Sequence, residues 1–239
     1  MSGHSKWSQI KRQKGVADAK RGQAFTKQGK AISIAVRSGG GVTDPNQNFR
    51  LRLEVEKARG INMPKENIAR AIERGVGSGD KGELSEVVYE GFAPHGIAML
   101  VEAVTDNKMR TTPEIKSLFD KNGGTLGIPG SVAYQFTQMG MIIIAKKEQS
   151  FDTIFSLAVD AGASDVEEVG EEVYIYTAPV DLARAKNALK DLLPIVSAEL
   201  IRRSVTPVVL TEASIVEKVM NFIERIENHD DVQKVYAAI

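Results

Sequence analysis

Charge is divided unevenly along this chain, although the chain as a whole has no net charge. Residues 1–75 carry 16 lysines and arginines against 6 aspartates and glutamates, a net charge of +10, and residues 76–239 carry a net charge of −10. The first 37 residues are more basic still, with 9 cations and one acid. So many cations exceed what solubility requires, and this division is typical of a basic polyanion-binding module joined to an acidic body.

The residue types present exclude several classes of protein. The 239 residues include no cysteine, which excludes disulfides, thiolate catalysis and Cys-ligated metal centres. Basic residues interrupt the N-terminus, which therefore lacks the apolar segment of a secretory signal. No apolar run approaches the roughly 18 residues that a membrane span needs. We therefore expect a cytoplasmic protein with no membrane partner.

Three helices are predicted behind a basic N-terminal arm. The apolar spacing predicts the first over 18–38, and Gly39-Gly40-Gly41 ends it. Residues 48–59 alternate between apolar and charged side chains as a strand does, but their arginines, leucines and glutamates favour a helix, which we predict. The third helix is predicted to have Pro64 at its first position and to end at Gly75.

Strand patterns replace helical ones after a short glycine-rich linker. Residues 87–92 and 97–104 are predicted to form two strands joined by a tight turn. Thr112 is predicted to cap a helix whose first residue is Pro113. Residues 131–136 are predicted to form a further strand.

Residues 141–202 have the order strand–helix–strand–strand–helix–strand, which is the ferredoxin-like arrangement. The tail, with a strand at 208–210, a helix and a last strand, cannot bury itself alone, and the middle β-β-α-β segment lacks a second helix. We therefore expect these two segments to form one domain. The sequence predicts an α+β fold with three domains: a helical domain over 1–78, a discontinuous α+β domain over 79–137 and 205–239, and a ferredoxin-like domain over 138–204 inserted into it.

No sequence pattern indicates catalysis. The three histidines are far apart, and no nucleophile elbow, phosphate-binding loop or zinc-protease motif is present. The glycines of 75–79 follow a predicted helix rather than a strand, so they indicate a linker. The acidic strip 167–172 is compatible with a cation site, but a solvated hairpin turn is favoured. We predict a non-enzymatic protein with no metal, no cofactor and no small-molecule substrate.

The cations of the arm and first helix are the predicted nucleic-acid contacts, because cations spaced along a surface neutralise phosphates and release counterions. Trp7 lies among them, and two roles are open for it: it stacks on a base or enters a groove, or it anchors the arm to the helical domain. The predicted nucleic-acid-binding residues are Lys6, Trp7, Lys11, Arg12, Lys14, Lys20, Arg21, Lys27, Lys30 and Arg37.

Short motifs along essentially the whole chain match those of a known family. In chain order they include Gly3-His4-Ser5-Lys6-Trp7, Lys20-Arg21-Gly22, Phe25-Thr26-Lys27, Asn62-Met63-Pro64-Lys65, Tyr89-Glu90-Gly91, Thr105-Asp106-Asn107, Arg110-Thr111 and Gly130-Ser131-Val132-Ala133-Tyr134. With these motifs the chain resembles the YebC/PmpR family. It departs from the family pattern at Gln23, where a cation is common, and at Met109, where a polar residue is usual.

The resemblance implies a helical domain followed by two α+β domains, a role in gene expression, and neither enzymatic activity nor a required cofactor. Bacterial members are commonly described as DNA-binding transcriptional regulators, whereas mitochondrial relatives are translational activators and some bacterial members resemble ribosome-associated factors. We expect a DNA-binding transcriptional regulator, with binding to ribosomal RNA or the ribosome as the alternative. The lack of a recognisable helix-turn-helix or zinc finger favours the alternative. An enzyme or ligand sensor built on the ferredoxin-like domain is a weaker third hypothesis, since fold alone does not support it.

Overall fold

The computed structural model describes residues 18–77 and 83–239, with side chains from Arg21 onward. These residues form two compact units. One contains the described residues up to Tyr134 together with Leu210–Ala237, and the other contains Gln135–Val209 with Ala238–Ile239. Helices occur together with two antiparallel sheets, so the α+β fold class is confirmed. The boundaries of the three predicted domains stay predictions.

Seven helices and eight strands follow one another along the described chain, apart from single turns of 3-10 helix. They are α1 (Asp18–Ser38), α2 (Phe49–Gly60), α3 (Lys65–Gly75), β1 (Ser85–Ala93), β2 (Ile97–Thr105), α4 (Lys108–Lys121), β3 (Thr125–Leu126), β4 (Phe136–Ala145), α5 (Phe151–Asp160), β5 (Asp165–Val169), β6 (Glu172–Thr177), α6 (Leu182–Leu189), β7 (Ile195–Ser204), α7 (Ala213–Glu227) and β8 (Val232–Ala237).

Helix α1 is the centre of the helical part, because both α2 and α3 pack against it. The apolar side chains between them are nearly inaccessible to solvent: Ile32, Ala35, Val36, Leu51, Val55, Ala58, Met63, Ile68 and Ala71. At about 25 cal/mol per Å² of apolar surface removed from water, this cluster is the main stabilisation of the three helices.

The alternating segment predicted as a helix is α2, and Asn48 shows why. Its side-chain oxygen accepts a hydrogen bond from the N–H of Leu51 at 3.0 Å, which caps the first turn of the helix. Its amide nitrogen donates to the carbonyl of Ala35 at 2.9 Å, which attaches the start of α2 to α1. The prediction for α3 was wrong by one position, because Pro64 has extended ψ and precedes the helix as its N-cap residue.

The first sheet is antiparallel, with the strand order β3-β1-β2-β8. Its last strand, β8, comes from near the end of the chain, after the segment Gln135–Val209 of the second unit. Helices α4 and α7 pack against this sheet and against each other, where the rings of Phe119 and Phe222 meet edge to face at 5.2 Å. Because the chain returns to this sheet, β8 pairs with the backbone groups along the edge of β2. The same return buries the apolar side of α7.

The second sheet has the antiparallel order β5-β6-β4-β7. Together with α5 and α6 this is the β-α-β-β-α-β arrangement that the sequence predicts. Gly140 on β4 explains the close approach of α6, because a side chain there would lie 2.7 Å from the Cβ of Leu182.

Helix α4 starts five residues earlier than the Thr112 cap predicts. Asn107 is the N-cap, and its side-chain oxygen accepts from the N–H of Arg110 at 3.1 Å. Pro113 is therefore inside the helix, where it costs one backbone hydrogen bond. The prediction treated Pro113 as a start signal, but the capping amide upstream determines where the helix begins.

Two predicted strands are absent from their positions. Over 131–136 the backbone N–H groups of Val132 and Ala133 donate to the Glu90 carboxylate at 2.8 Å, so they do not enter a sheet ladder, and strand β4 begins only at Phe136. Residues 208–210 form one hydrogen bond, from the N–H of Val208 to the carbonyl of Ala238, and are otherwise irregular.

No helix among the described residues is long and apolar enough to cross a membrane.

Candidate nucleic-acid interface

The ten predicted contact residues divide into those that the structure describes and those that it does not. Lys6, Trp7, Lys11, Arg12 and Lys14 lie outside the described residues. Lys20 belongs to α1, but its side chain is not described. The side chains that can be placed are Arg21, Lys27, Lys30 and Arg37, all on α1.

Two lysines in the middle of α1 point toward the end of α7 and the turn that follows it. Lys27 donates to the carbonyl of Glu227 at 2.5 Å. The Nζ of Lys30 lies 2.5 Å from a carboxylate oxygen of Asp231, and the exposed fractions of the two side chains are 13% and 4%. These lysines therefore attach α1 to the first sheet, and a contact of either one with nucleic acid stays a prediction.

The predicted cations at the two ends of α1 differ in their exposure to solvent. Arg37, in the last turn, donates to the carbonyl of Leu84 at 2.6 Å and pairs with Glu83 at 3.1 Å. Arg21, near the start, is exposed. Among the four predicted cations whose side chains the structure describes, Arg21 is the exposed one.

Gln23, which replaces a common cation of the family pattern, has a clear structural role. Its amide nitrogen donates to the carbonyl of Asn228 at 2.6 Å and to the carboxylate of Asp230 at 2.8 Å. The shorter neutral side chain therefore joins α1 to the turn before β8. No sequence pattern signals this contact, because more than 200 positions separate the partners.

The carboxylate of Asp231 receives donors from two separate segments of the chain, α1 and α4. Besides Lys30, it accepts from the Thr111 hydroxyl at 2.6 Å and from the Arg110 guanidinium at 3.0 Å. The hydroxyls of Thr105 and Thr111 are 2.8 Å apart, which fixes the Thr111 rotamer. Burial raises the pKa of Asp231, but the hydrogen bonds from Lys30, Thr111 and Arg110 lower it by more, so this pKa lies well below its usual range.

The motif between Thr105 and Thr111 is therefore structural. Asn107 caps α4, while Arg110 and Thr111 hold the carboxylate of Asp231. Met109, which departs from the family pattern, is 86% exposed and takes no part in this network. We conclude that the departure leaves the network around Asp231 intact.

A second group of cations lies at the connection between α2 and α3, and the sequence analysis did not select it. Lys57 and Arg59 are in the last turn of α2, Lys65 opens α3, and all three are exposed. Residues 57–65 contain no acid. These three cations contribute to the net charge of +10 over residues 1–75, which is the sequence signal for them. The prediction selected the N-terminal cations instead, because the arm is more strongly basic.

The geometry of this connection suits an anion. Asn62 has a φ of 59°, which turns the chain sharply within the four residues between the helices. Pro64 makes no side-chain cap at the start of α3, so the first N–H groups of α3 are not occupied by a capping side chain. The partial positive charge of a helix N-terminus adds to that of Lys65, and the carboxylate of Glu66 in the same first turn offsets part of it.

The structure also places the acidic strip and the possible metal ligands. Residues 167–172 form the β5–β6 hairpin, in which Gly170 has a φ of 60° and Glu168 pairs with Lys146. Within the described ranges, no three or more His, Asp or Glu side chains are grouped so as to hold a metal ion. The strip is a hairpin turn.

Comparison with known proteins now adds the family. Residues 5–78 match the model of the TACO1/YebC protein N-terminal domain, and residues 84–239 match that of the TACO1/YebC second and third domain. The chain belongs to the TACO1/YebC family. This agrees with the resemblance to YebC/PmpR proteins in the sequence motifs.

Individual relatives are similar over nearly their full length. A protein of Chloroflexus aurantiacus is 47% identical over 240 residues, covering 99% of this chain and 94% of the relative, and one of Persephonella marina is 46% identical over 239 residues. Both are named "Probable transcriptional regulatory protein". The crystal structure of a conserved hypothetical protein from Aquifex aeolicus has a TM-score of 0.84 and 40% identity, covering 92% of this chain and 90% of that one.

Proposed function

We propose that this protein is a non-enzymatic, nucleic-acid-binding regulator of gene expression, and specifically a DNA-binding transcriptional regulator. The observation that carries the proposal is the charge of +10 over residues 1–75, with the exposed Arg21 at the start of α1 and exposed cations at the α2–α3 connection. The names of the relatives from Chloroflexus aurantiacus and Persephonella marina support the regulatory role.

The residues proposed to bind nucleic acid fall in three stretches of the sequence. The basic arm supplies Lys6, Lys11, Arg12 and Lys14, with Trp7 among them; the start of α1 supplies Lys20 and Arg21; and the α2–α3 connection supplies Lys57, Arg59 and Lys65. Each cation that neutralises a phosphate releases a counterion, so the affinity falls steeply with salt. The acidic remainder of the chain repels the polyanion and directs it to this surface.

Binding to ribosomal RNA or the ribosome is the alternative, because phosphate contacts are alike for DNA and RNA. The relatives from Chloroflexus aurantiacus and Persephonella marina are named probable transcriptional regulatory proteins, which supports DNA as the first choice. The cellular target therefore needs its own experiment.

The binding surface is tested by reversing Lys11, Arg12, Lys20 and Arg21 together to Glu. We expect loss of binding to labelled duplex DNA in fluorescence anisotropy, with an unchanged circular dichroism melt. The matched control reverses Lys108, Lys147, Arg184 and Lys190, four exposed cations outside the helical part, with the same change in net charge. Equal loss in both variants would mean a general charge effect, and full affinity in the first variant would refute the proposed surface.

The target is tested by sedimenting a cell lysate through a sucrose gradient with and without DNase. Sedimentation that DNase abolishes supports the transcriptional role. Co-migration with ribosomes that survives DNase supports the alternative and refutes the primary proposal.

A further inference from the structure

A cationic depression of about 440 Å³ lies on the first unit, and none of its described lining residues comes from α1, α2 or α3. The turn after β1, the end of α4 and the side of α7 form it, and its lining includes His95, Asn122, Gly123, Lys218, Phe222 and Arg225. Two lining residues are cations, one is a histidine, and no carboxylate belongs to the described lining. This is unexpected in a region, 76–239, whose net charge is −10.

The guanidinium of Arg225 is held in place by the end of α4. Its Nη1 donates to the side-chain oxygen of Asn122 at 2.5 Å, and the amide nitrogen of Asn122 donates in turn to the carbonyl of Leu118 at 2.7 Å. This second bond also satisfies one of the last carbonyls of α4, which would otherwise present negative partial charge to the depression. A guanidinium carries five N–H donors in a rigid fork, and the bond to Asn122 uses one of them.

His95 is brought to the depression by an unusual backbone conformation. Its φ is 66°, in the left-handed region that non-glycine residues seldom adopt, and Gly96 follows with a φ of 74°. This conformation costs about 1 kcal/mol or more for a residue with a Cβ, and such costs concentrate at ligand sites. The turn could carry glycine or asparagine here, but it carries an imidazole that lines the depression.

The wall of the depression is closely packed. A side chain at Gly124 would lie 2.5 Å from the ring of Phe222, so the end of α4 lies directly against α7. Phe222 is itself 2% exposed and packs on Phe119. The polar groups are therefore carried on a rigid support, as a binding site requires.

We propose that this depression binds the phosphate group of a nucleotide, either free or as a unit of a nucleic-acid strand. Lys218 supplies a point charge, Arg225 a fork that matches phosphate oxygens, and His95 a further ring nitrogen. The volume lies within the range of small-molecule sites. None of its described lining residues belongs to helices α1–α3, and the proposal does not depend on the function proposed for the helical part.

The test uses the full chain labelled with ¹⁵N and three probes: inorganic phosphate, AMP and a 12-nucleotide single-stranded RNA. We expect saturable NMR shifts at residues 94–96 and 122–123. The Lys218→Gln/Arg225→Gln double variant should weaken the binding that these shifts report by about tenfold or more, the ratio for loss of a charge-assisted hydrogen bond. The matched control is Lys116→Gln/Lys190→Gln, which removes the same charge from exposed positions and should change nothing.

The outcomes distinguish a free nucleotide from a nucleic-acid strand as the source of the phosphate. They also distinguish this proposal from the function proposed for the helical part. Shifts with AMP as well as RNA identify a nucleotide site, and shifts with RNA alone identify an additional strand contact; both support the proposal. It is overturned if no probe gives saturable shifts at these residues, if the double variant responds like wild type, or if only inorganic phosphate binds. AMP shifts that persist in the variant with Lys11, Arg12, Lys20 and Arg21 reversed show that the depression acts independently of the helical surface.

Discussion

The ammonium group of Lys30 lies 2.5 Å from the carboxylate of Asp231, although 201 positions separate the two residues. The pair joins α1 to the turn that leads into β8, and Arg110 and Thr111 bring the start of α4 to the same carboxylate. A lysine that the sequence predicts to bind nucleic acid is thus part of a buried ion pair. This network is the main polar connection between α1 and the first sheet.

Asp231→Ala should lower the free energy of unfolding by about 3 kcal/mol, because removing one partner of a buried ion pair leaves the other charge uncompensated. Equilibrium urea denaturation measures this. The control is Asp230→Ala at the adjacent exposed position, which removes one hydrogen bond from Gln23 and should cost less than about 1 kcal/mol. Equal effects of the two variants would contradict a special role for Asp231.

Acid should lower the free energy of unfolding, partly because Asp231 and Glu90 become protonated. The pKa of Glu90 is also lowered, since hydrogen bonds from Gly130, Val132 and Ala133 outweigh the effect of burial, which raises it. A carboxyl whose folded pKa is depressed stabilises the fold above its unfolded pKa, about 3.9 for aspartate and 4.3 for glutamate, and loses that contribution as the pH falls toward the folded value. The contribution is thus complete above about pH 5 and declines below about pH 4.

The pH dependence is measured by urea denaturation of wild type and Asp231→Asn between about pH 7 and pH 3. The difference in unfolding free energy should be largest at about pH 7 and should shrink below about pH 4, because the wild-type carboxyl is then losing its advantage. A difference that stays constant over this range would show that the ionised carboxylate is not its source.

Gly75→Ala should destabilise the helical part even though alanine favours helices. A Cβ at Gly75 would lie 2.6 Å from the Cβ of Val36 and 2.7 Å from the carbonyl of Ser33, so α3 would have to move away from α1. We expect a decrease of about 1–3 kcal/mol in unfolding free energy by urea denaturation. Gly60→Ala, with nothing within 4 Å of the new Cβ, should instead stabilise by about 0.4–1 kcal/mol. A stabilising Gly75→Ala would mean that the two helices are not tightly packed there.

Arg59→Glu/Lys65→Glu should weaken binding to duplex DNA and reduce its salt dependence. For each phosphate that the variant no longer neutralises, the slope of log affinity against log salt should become shallower by about 0.9. Fluorescence anisotropy titrations at about 50 to 200 mM salt measure the slope. Over this range of salt the affinity of nucleic-acid-binding proteins changes strongly. Lys147→Glu/Lys190→Glu is the charge-matched control, and a slope that changes only in the control would exclude the α2–α3 connection from the interface.

Local sequence signals predicted most of the individual elements. The apolar spacing of α1 predicted its bounds of 18–38, and helix-forming composition outweighed a strand-like alternation in α2 because Asn48 caps that helix. The predictions failed where a side chain from a distant or upstream position hydrogen-bonds to the backbone N–H groups of the segment. Glu90 binds the N–H groups of the segment predicted as a strand at 131–136, and Asn107 starts α4 before the signal at Thr112.

The sequence by itself determined the α+β class, the order of the elements and the basic character of the N-terminal part, because periodicity, turn residues and net charge are local properties of the chain. Only the tertiary structure decided which cations remain available to a ligand. It pairs Lys30 with Asp231, leaves Arg59 and Lys65 exposed, and brings Arg225 and His95 to one depression. These outcomes depend on contacts between residues far apart in the chain, and a charge in a sequence does not reveal whether folding will place a partner beside it.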